Sequence, residues 1–124
     1  MLSASELQIG RKVYLKFCAE LQIVTVSQII NETNITVINE ENKSLNINSA
    51  DKFSQLYGIR LTEEILEQNG FIRHTGDVWV QFREDSNDIY LREDDWGNFY
   101  MKNDDSEIPL KFVHIAQNHF TIEL

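Results

Sequence analysis

The stretch "IRLTEEILEQNGF", residues 59–71, carries its own start and stop signals. Thr62 is a good helix N-cap, and Glu63 and Glu64 fall in the first turn, where the helix dipole favours negative charge. Leu61, just before the cap, is placed to meet Leu66 as a hydrophobic staple. Gly70 stands where a left-handed residue closes the C-terminus. Local chemistry thus predicts a short capped helix. It sits between an N-terminal part rich in strand signals and a strongly acidic C-terminal part.

Upstream, from Lys12 to Tyr57, apolar residues recur with period two in "KVYLKF", "LQIVTVSQII", "TNITVIN" and "KSLNIN", separated by polar turns such as Asn39-Glu40-Glu41-Asn42. This predicts four or five short antiparallel strands. In "LQIVTV" Leu21 and Ile23 share one face while Val24 and Val26 share the other, so a β-bulge or a strand buried on both faces is expected there. Strongly bent strands suit a small SH3-like barrel.

Downstream, "GFIRHTGDVWVQF" reads as a hairpin turning at Thr75-Gly76-Asp77, and "DIYLREDDWGNFYMK" as another turning at Asp94-Asp95-Trp96-Gly97-Asn98. A meander of three or four strands is expected. Beyond Pro109, the spacing of Phe112, Ala116 and Phe120, with Val113 beside them, predicts a terminal helix from about Leu110 to Phe120 covering the meander. The expected class is α+β: an N-terminal SH3-like β-barrel over residues 1–57, then an acidic subdomain over 58–124. The latter comprises the capped helix, the antiparallel β-meander and a C-terminal helix. Neither part would bury much apolar area alone, so packing as one compact unit is expected.

The chain of 124 residues carries a formal charge of −9. Residues 1–57 hold six acids and five bases, a net of −1, whereas residues 58–124 hold fourteen acids and six bases, a net of −8. Such an excess repels phosphate backbones and anionic membranes, so neither nucleic acid nor membrane is the expected direct partner. A basic protein surface is. Cys18 is the sole cysteine, which excludes an internal disulfide and suits a reducing compartment. The N-terminus has no basic leader followed by an apolar run, so a cytoplasmic protein is expected.

Nine carboxylates fall within residues 84–107: Glu84, Asp85, Asp88, Glu93, Asp94, Asp95, Asp104, Asp105 and Glu107. Neither "EDSND" nor "REDDWGN" has calcium-loop spacing. A catalytic carboxylate pair would need two acids in differing environments, yet these lie in polar turn-like stretches. What remains is an acidic surface for a basic groove, with Tyr90, Trp96 and Tyr100 as anchors, against the plain alternative of solvated hairpin tips. His114 and His119, five apart, diverge by about 140° on a helix and suit no common metal. His74 has no evident acid-base partner, and the isolated glycines build no phosphate loop. Trp79, alternating with Val78 and Val80, reads as core.

Three blocks, "ELQIGRKVY" (6–14), "IRLTEEILEQNGF" (59–71) and "IPLKFVHIAQNHF" (108–120), resemble a group of small proteins of unknown function from Bacteroidetes bacteria, their phages and prophages. Together they cover about a quarter of the chain. Relatives tend to read Ile-Pro-Leu-Thr-Glu-Glu-Trp-Leu in the second block and Tyr-Val-His-Gln-Leu-Gln-Asn in the third. This chain departs from them at Ile65, Ile115 and Ala116. The resemblance implies a phage or mobile-element accessory protein inside a bacterial host, on a shared scaffold with variable hairpins, and it brings no catalytic residue.

The expectation is therefore a non-enzymatic binding module without cofactor or metal. Its acidic half would occupy the basic, nucleic-acid-binding surface of a host defence protein and inhibit it. Two alternatives come from other classes: a structural or minor virion component forming a homo-oligomer, and a small metal-dependent hydrolase using the acid cluster.

Overall fold

A computed structural model describes residue 2 and residues 6–17, 19–48, 54–84, 87–103 and 106–124; the side chains of Phe17, Ser54, Gln55 and Asn103 are outside the description. Cys18, Asp85, Asp104 and Asp105 lie outside the described residues. The fold is mostly β. Each of two compact units, residues 1–59 and 60–124, is built on one antiparallel sheet of five strands, and helices are few and short.

The first unit runs β1 (Lys12–Phe17), β2 (Glu20–Ile29), β3 (Asn34–Asn39), β4 (Ser44–Asn48) and β5 (Ser54–Tyr57), in the spatial order β4-β3-β2-β1-β5. Four strands follow as a meander, and the fifth returns to pair with β1, Tyr14 opposite Tyr57. Alternate residues face inward because strand side chains have period two. Val13, Leu15, Val24, Val26, Ile35, Val37, Ile47 and Leu56 are buried with Leu7. Each such side chain contributes about 1.5–3 kcal/mol when fully buried.

The bulge expected in "LQIVTV" is not there. Residues 20–25 pair with β1 in unbroken register, and Leu21 is 58% exposed. The apolar outer face of β2, not a slip in pairing, produces the run. The irregularity comes instead between Val26 and Gln28, where Val26 faces Val37 but Gln28 faces Thr36, and the Ser27 hydroxyl donates to the Thr36 carbonyl at 3.0 Å. Among the described residues the sheet is open, with β4 and β5 as its edges.

In the second unit, α1 spans Glu63–Gln68. The Thr62 hydroxyl accepts from the Ile65 amide at 3.3 Å. At the other end, the Phe71 amide donates to Leu66 O at 3.0 Å and the Gly70 amide to Glu67 O at 3.2 Å, with Gly70 at φ +84°. That pair of bonds is a Schellman closure. Leu61 and Leu66 are both buried, as a staple requires.

A five-strand meander follows: β6 (Ile72–Thr75), β7 (Val78–Gln81), β8 (Ile89–Glu93), β9 (Phe99–Asn103) and β10 (Ser106–Pro109), adjacent in that order. β10 was not foreseen. Its Pro109 ends an edge strand, where a missing N–H costs no ladder bond, and does not open a helix. The chain continues extended: the Leu110 amide donates to Phe99 O at 2.8 Å, and Phe112 bridges Arg60. The terminal helix expected over Leu110–Phe120 is therefore reduced to α2, Val113–Ala116, plus a tightened turn. Phe112 occupies its N-cap and has no side chain able to accept from the first amides. The apolar spacing still applies, since Val113, Ala116 and Phe120 are buried. Phe120 lies against Phe71 at 5.3 Å between ring centroids. The Asn69 side chain ties down the last residues, accepting from the Glu123 amide at 2.7 Å and donating to its carbonyl at 2.9 Å.

Candidate functional site: the tip between β8 and β9

The turn linking β8 to β9, Asp94 to Asn98, is organised by one carboxylate. Asp94 Oδ1 accepts from the Trp96 and Asn98 amides, both at 2.9 Å. Oδ2 accepts from the Asn98 side chain and from the Tyr100 hydroxyl, both at 3.2 Å. The turn closes through the Asp94 amide on Asn98 O and the Gly97 amide on Asp94 O, with Gly97 at φ +79°. These donors, led by the Asn98 amide, hold the Asp94 carboxyl below the ordinary aspartate range. The bond that the Tyr100 hydroxyl donates to Asp94 raises the Tyr100 phenol. Trp96 is consequently presented on a stiff support and is 81% exposed.

The described acidic residues do not form one patch. Strand register places Leu91, Glu93 and Phe99 on one face of the sheet and Tyr90, Arg92 and Tyr100 on the other. Glu93, only 13% exposed at its side chain, accepts from Trp79 Nε1 at 2.9 Å and from Arg73 at 3.1 Å. Arg73 also reaches Glu63 at 2.7 Å and lies over the Trp79 ring, 4.8 Å from its centroid. Glu93 hydrogen-bonds to Glu63 and, together with desolvation and its charge, raises the Glu63 carboxyl above its usual range against the pull of Arg73.

On the opposite face, Glu107 takes three donated bonds from Arg92 at 2.7–3.2 Å, which lower its carboxyl and raise the guanidinium. Arg92 in turn covers the Tyr100 ring at 4.6 Å. Asp88 accepts from the Arg83 amide at 2.8 Å. Glu84 and Asp95 are exposed, and Tyr90 is 52% exposed. Of the anchors expected from sequence, then, Trp96 projects, Tyr90 lies exposed on its strand, and Tyr100 carries Arg92 over its ring and donates its hydroxyl to Asp94. Trp79 is core, 2% exposed and edge-on to Phe99 at 6.4 Å.

Beside the tip is a feature that sequence reasoning missed. Arg60, Trp96, Asn98, Phe99, Tyr100, Pro109 and Lys111 line an open groove of about 420 Å³. The backbone bridge between Arg60 and Phe112 and the bond from the Leu61 amide to Lys111 O at 3.0 Å bring together the two chain segments that carry its cations. These residues are fifty-one positions apart in the chain, so only tertiary pairing reveals them.

Among the described residues no three or more His, Cys, Asp or Glu side chains are grouped as a metal site, and no helix is long and apolar enough to cross a membrane. His74 packs edge-on to Phe82, while His114 is buried and His119 exposed. Comparison with protein-family models, with curated proteins and with solved structures finds no match to this chain.

Proposed function

We propose that the chain is a non-enzymatic protein-binding module whose contact centres on the tip between β8 and β9. The observation that carries this reading is Trp96, a large aromatic 81% exposed on a turn cross-braced by four bonds to Asp94. A rigid exposed tryptophan supplies anchoring area while losing little entropy on binding. Asp95 beside it and the net −8 of residues 58–124 make the complementary partner basic.

The resemblance to phage and prophage proteins supports a host target in the bacterial cytoplasm. Within that reading the module covers the nucleic-acid-binding surface of a defence protein and blocks it. The first unit is its scaffold, read as an SH3-like barrel on the order β4-β3-β2-β1-β5 and the irregularity at Ser27.

The test is capture from bacterial lysate with the wild-type chain, Trp96→Ala and Asp95→Lys as baits. A basic nucleic-acid-binding protein retained by the first and lost from both variants, which stay folded, is the expected result; equal retention by all three removes the reading. A second reading, self-assembly, is favoured by one observation: Ile72 and Tyr90, each 52% exposed, flank Val80 across β6, β7 and β8. Sedimentation showing a dimer that Tyr90→Lys dissociates would select it.

A further inference from the structure

The groove beside Trp96 differs in charge from its surroundings. Residues 60–124 contain fourteen acids and six bases, yet among the described residues the groove lining includes two of those bases and no carboxylate. Arg73 and Arg92 are occupied by Glu63, Glu93 and Glu107. Arg60 instead donates to a neutral amide oxygen, that of Asn98, at 2.9 Å, and Lys111 Nζ lies over the Phe112 ring, 5.4 Å from its centroid. A guanidinium resting on a neutral acceptor keeps its capacity for a charged one. The same lining includes Trp96, 81% exposed, and Tyr100, and an exposed indole favours a flat ligand. About 420 Å³ is the size of a small-molecule site, not of a macromolecular channel.

We propose that this groove binds a small ligand joining a planar ring to an anionic group, the ring against Trp96 and the anion on Arg60 and Lys111. A polymer of phosphates is disfavoured by the field of the whole unit, whereas one anionic group placed on Arg60 and Lys111 contacts two cations directly, and the tip carboxylate of Asp94 is already taken up by four donated bonds. The shared chemistry has two sources, a ring carrying phosphate and a ring carrying carboxylate. The inference shares Trp96 with the basic-partner reading but adds Arg60 and Lys111; the two are distinguished because the probe titration needs no protein partner and lysate capture needs no small ligand.

The experiment follows the indole N–H resonances of Trp96 and Trp79 by NMR in the full chain. It is titrated separately with adenosine 5′-monophosphate and 2-naphthoate, with adenosine as ring alone and inorganic phosphate as anion alone. The expected result is a saturable shift of Trp96, not Trp79, with at least one ring-anion probe. Adenosine and phosphate should bind at least about tenfold more weakly than that probe, and the Arg60→Gln/Lys111→Gln chain should show a loss of similar size. Response to the phosphate probe alone, or to the carboxylate probe alone, supports the proposal and identifies the source. Should the double variant lose its Trp79 resonance position, Lys111→Gln alone serves, since it leaves the Arg60 bond to Asn98 in place. The proposal is overturned by no Trp96 shift with either ring-anion probe up to about 10 mM, by controls that bind equally well, or by unchanged affinity in the folded variant.

Discussion

Two hairpin tips of this protein are built on one plan and display different residues. At Asn39–Lys43, Asn39 Oδ1 accepts from the amides of Glu41 and Lys43, the Asn39 amide donates to Lys43 O, and Asn42 takes φ +62°. At Asp94–Asn98 the same positions carry Asp94, Trp96, Gly97 and Asn98, and each of these bonds recurs. The first tip is a neutral brace bearing exposed Glu41. The second is charged, is braced further by Tyr100 and the Asn98 side chain, and lifts a tryptophan into solvent where the first has a glutamate. The shared turn geometry therefore does not set the tips apart; the extra bracing and the residue displayed do.

The largest difference between the tips is expected on deleting the bracing side chain. Asn39→Ala removes two bonds onto one oxygen and should cost about 1 kcal/mol in urea unfolding. Asp94→Ala removes four and should cost clearly more, so equal losses would show that the second tip is no better braced than the first.

Next in size is the left-handed position. Gly97→Ala should cost about 1–2 kcal/mol from backbone strain alone, since an added Cβ meets nothing within 4 Å. Asn42→Gly should be close to neutral, because asparagine already tolerates that conformation and glycine tolerates it better.

Acid separates the tips without mutation. A carboxyl lowered by folding stabilises the fold above its unfolded value, about 3.9 for aspartate, and that contribution is lost as pH falls through the folded value. Asp94 behaves so, and Glu107 likewise; Glu63, raised in the fold, opposes them. The contribution from Glu63 is complete below its unfolded value and fades as pH rises through its folded one. In an NMR acid titration the Trp96 and Asn98 amides should therefore move with a midpoint below the ordinary aspartate range. The amides of Glu41 and Lys43, held by uncharged Asn39, should show no such step. Smallest is Trp96→Ala, within about 0.5 kcal/mol in stability because the side chain is 81% exposed.

What the sequence disclosed follows the range of the forces involved. The helix at Glu63–Gln68 and both turns are specified by residues within a few positions, Thr62 and Gly70 for the one, Asn39, Asp94 and Gly97 for the others. The over-long terminal helix arose because Pro109 fits a helix start as well as a strand edge, and the choice is made by Tyr100, which it faces across β9. Glu93 read as an exposed acid because its partners, Arg73 and Trp79, lie twenty and fourteen residues away. The groove cations escaped notice for the same reason. Trp96 was legible because a tryptophan next to a turn glycine has no neighbouring strand to bury it.

The proposed contact belongs to the braced tip and not merely to an exposed tryptophan. The direct measurement is capture from bacterial lysate by three folded baits: wild type, Trp96→Ala, and Trp96→Ala carrying Glu41→Trp, which moves the indole to the matching place on the other tip. A basic protein held by the first bait and by neither of the others is the expected result. Retention by Trp96→Ala, or recovery when the tryptophan is moved to residue 41, would contradict it.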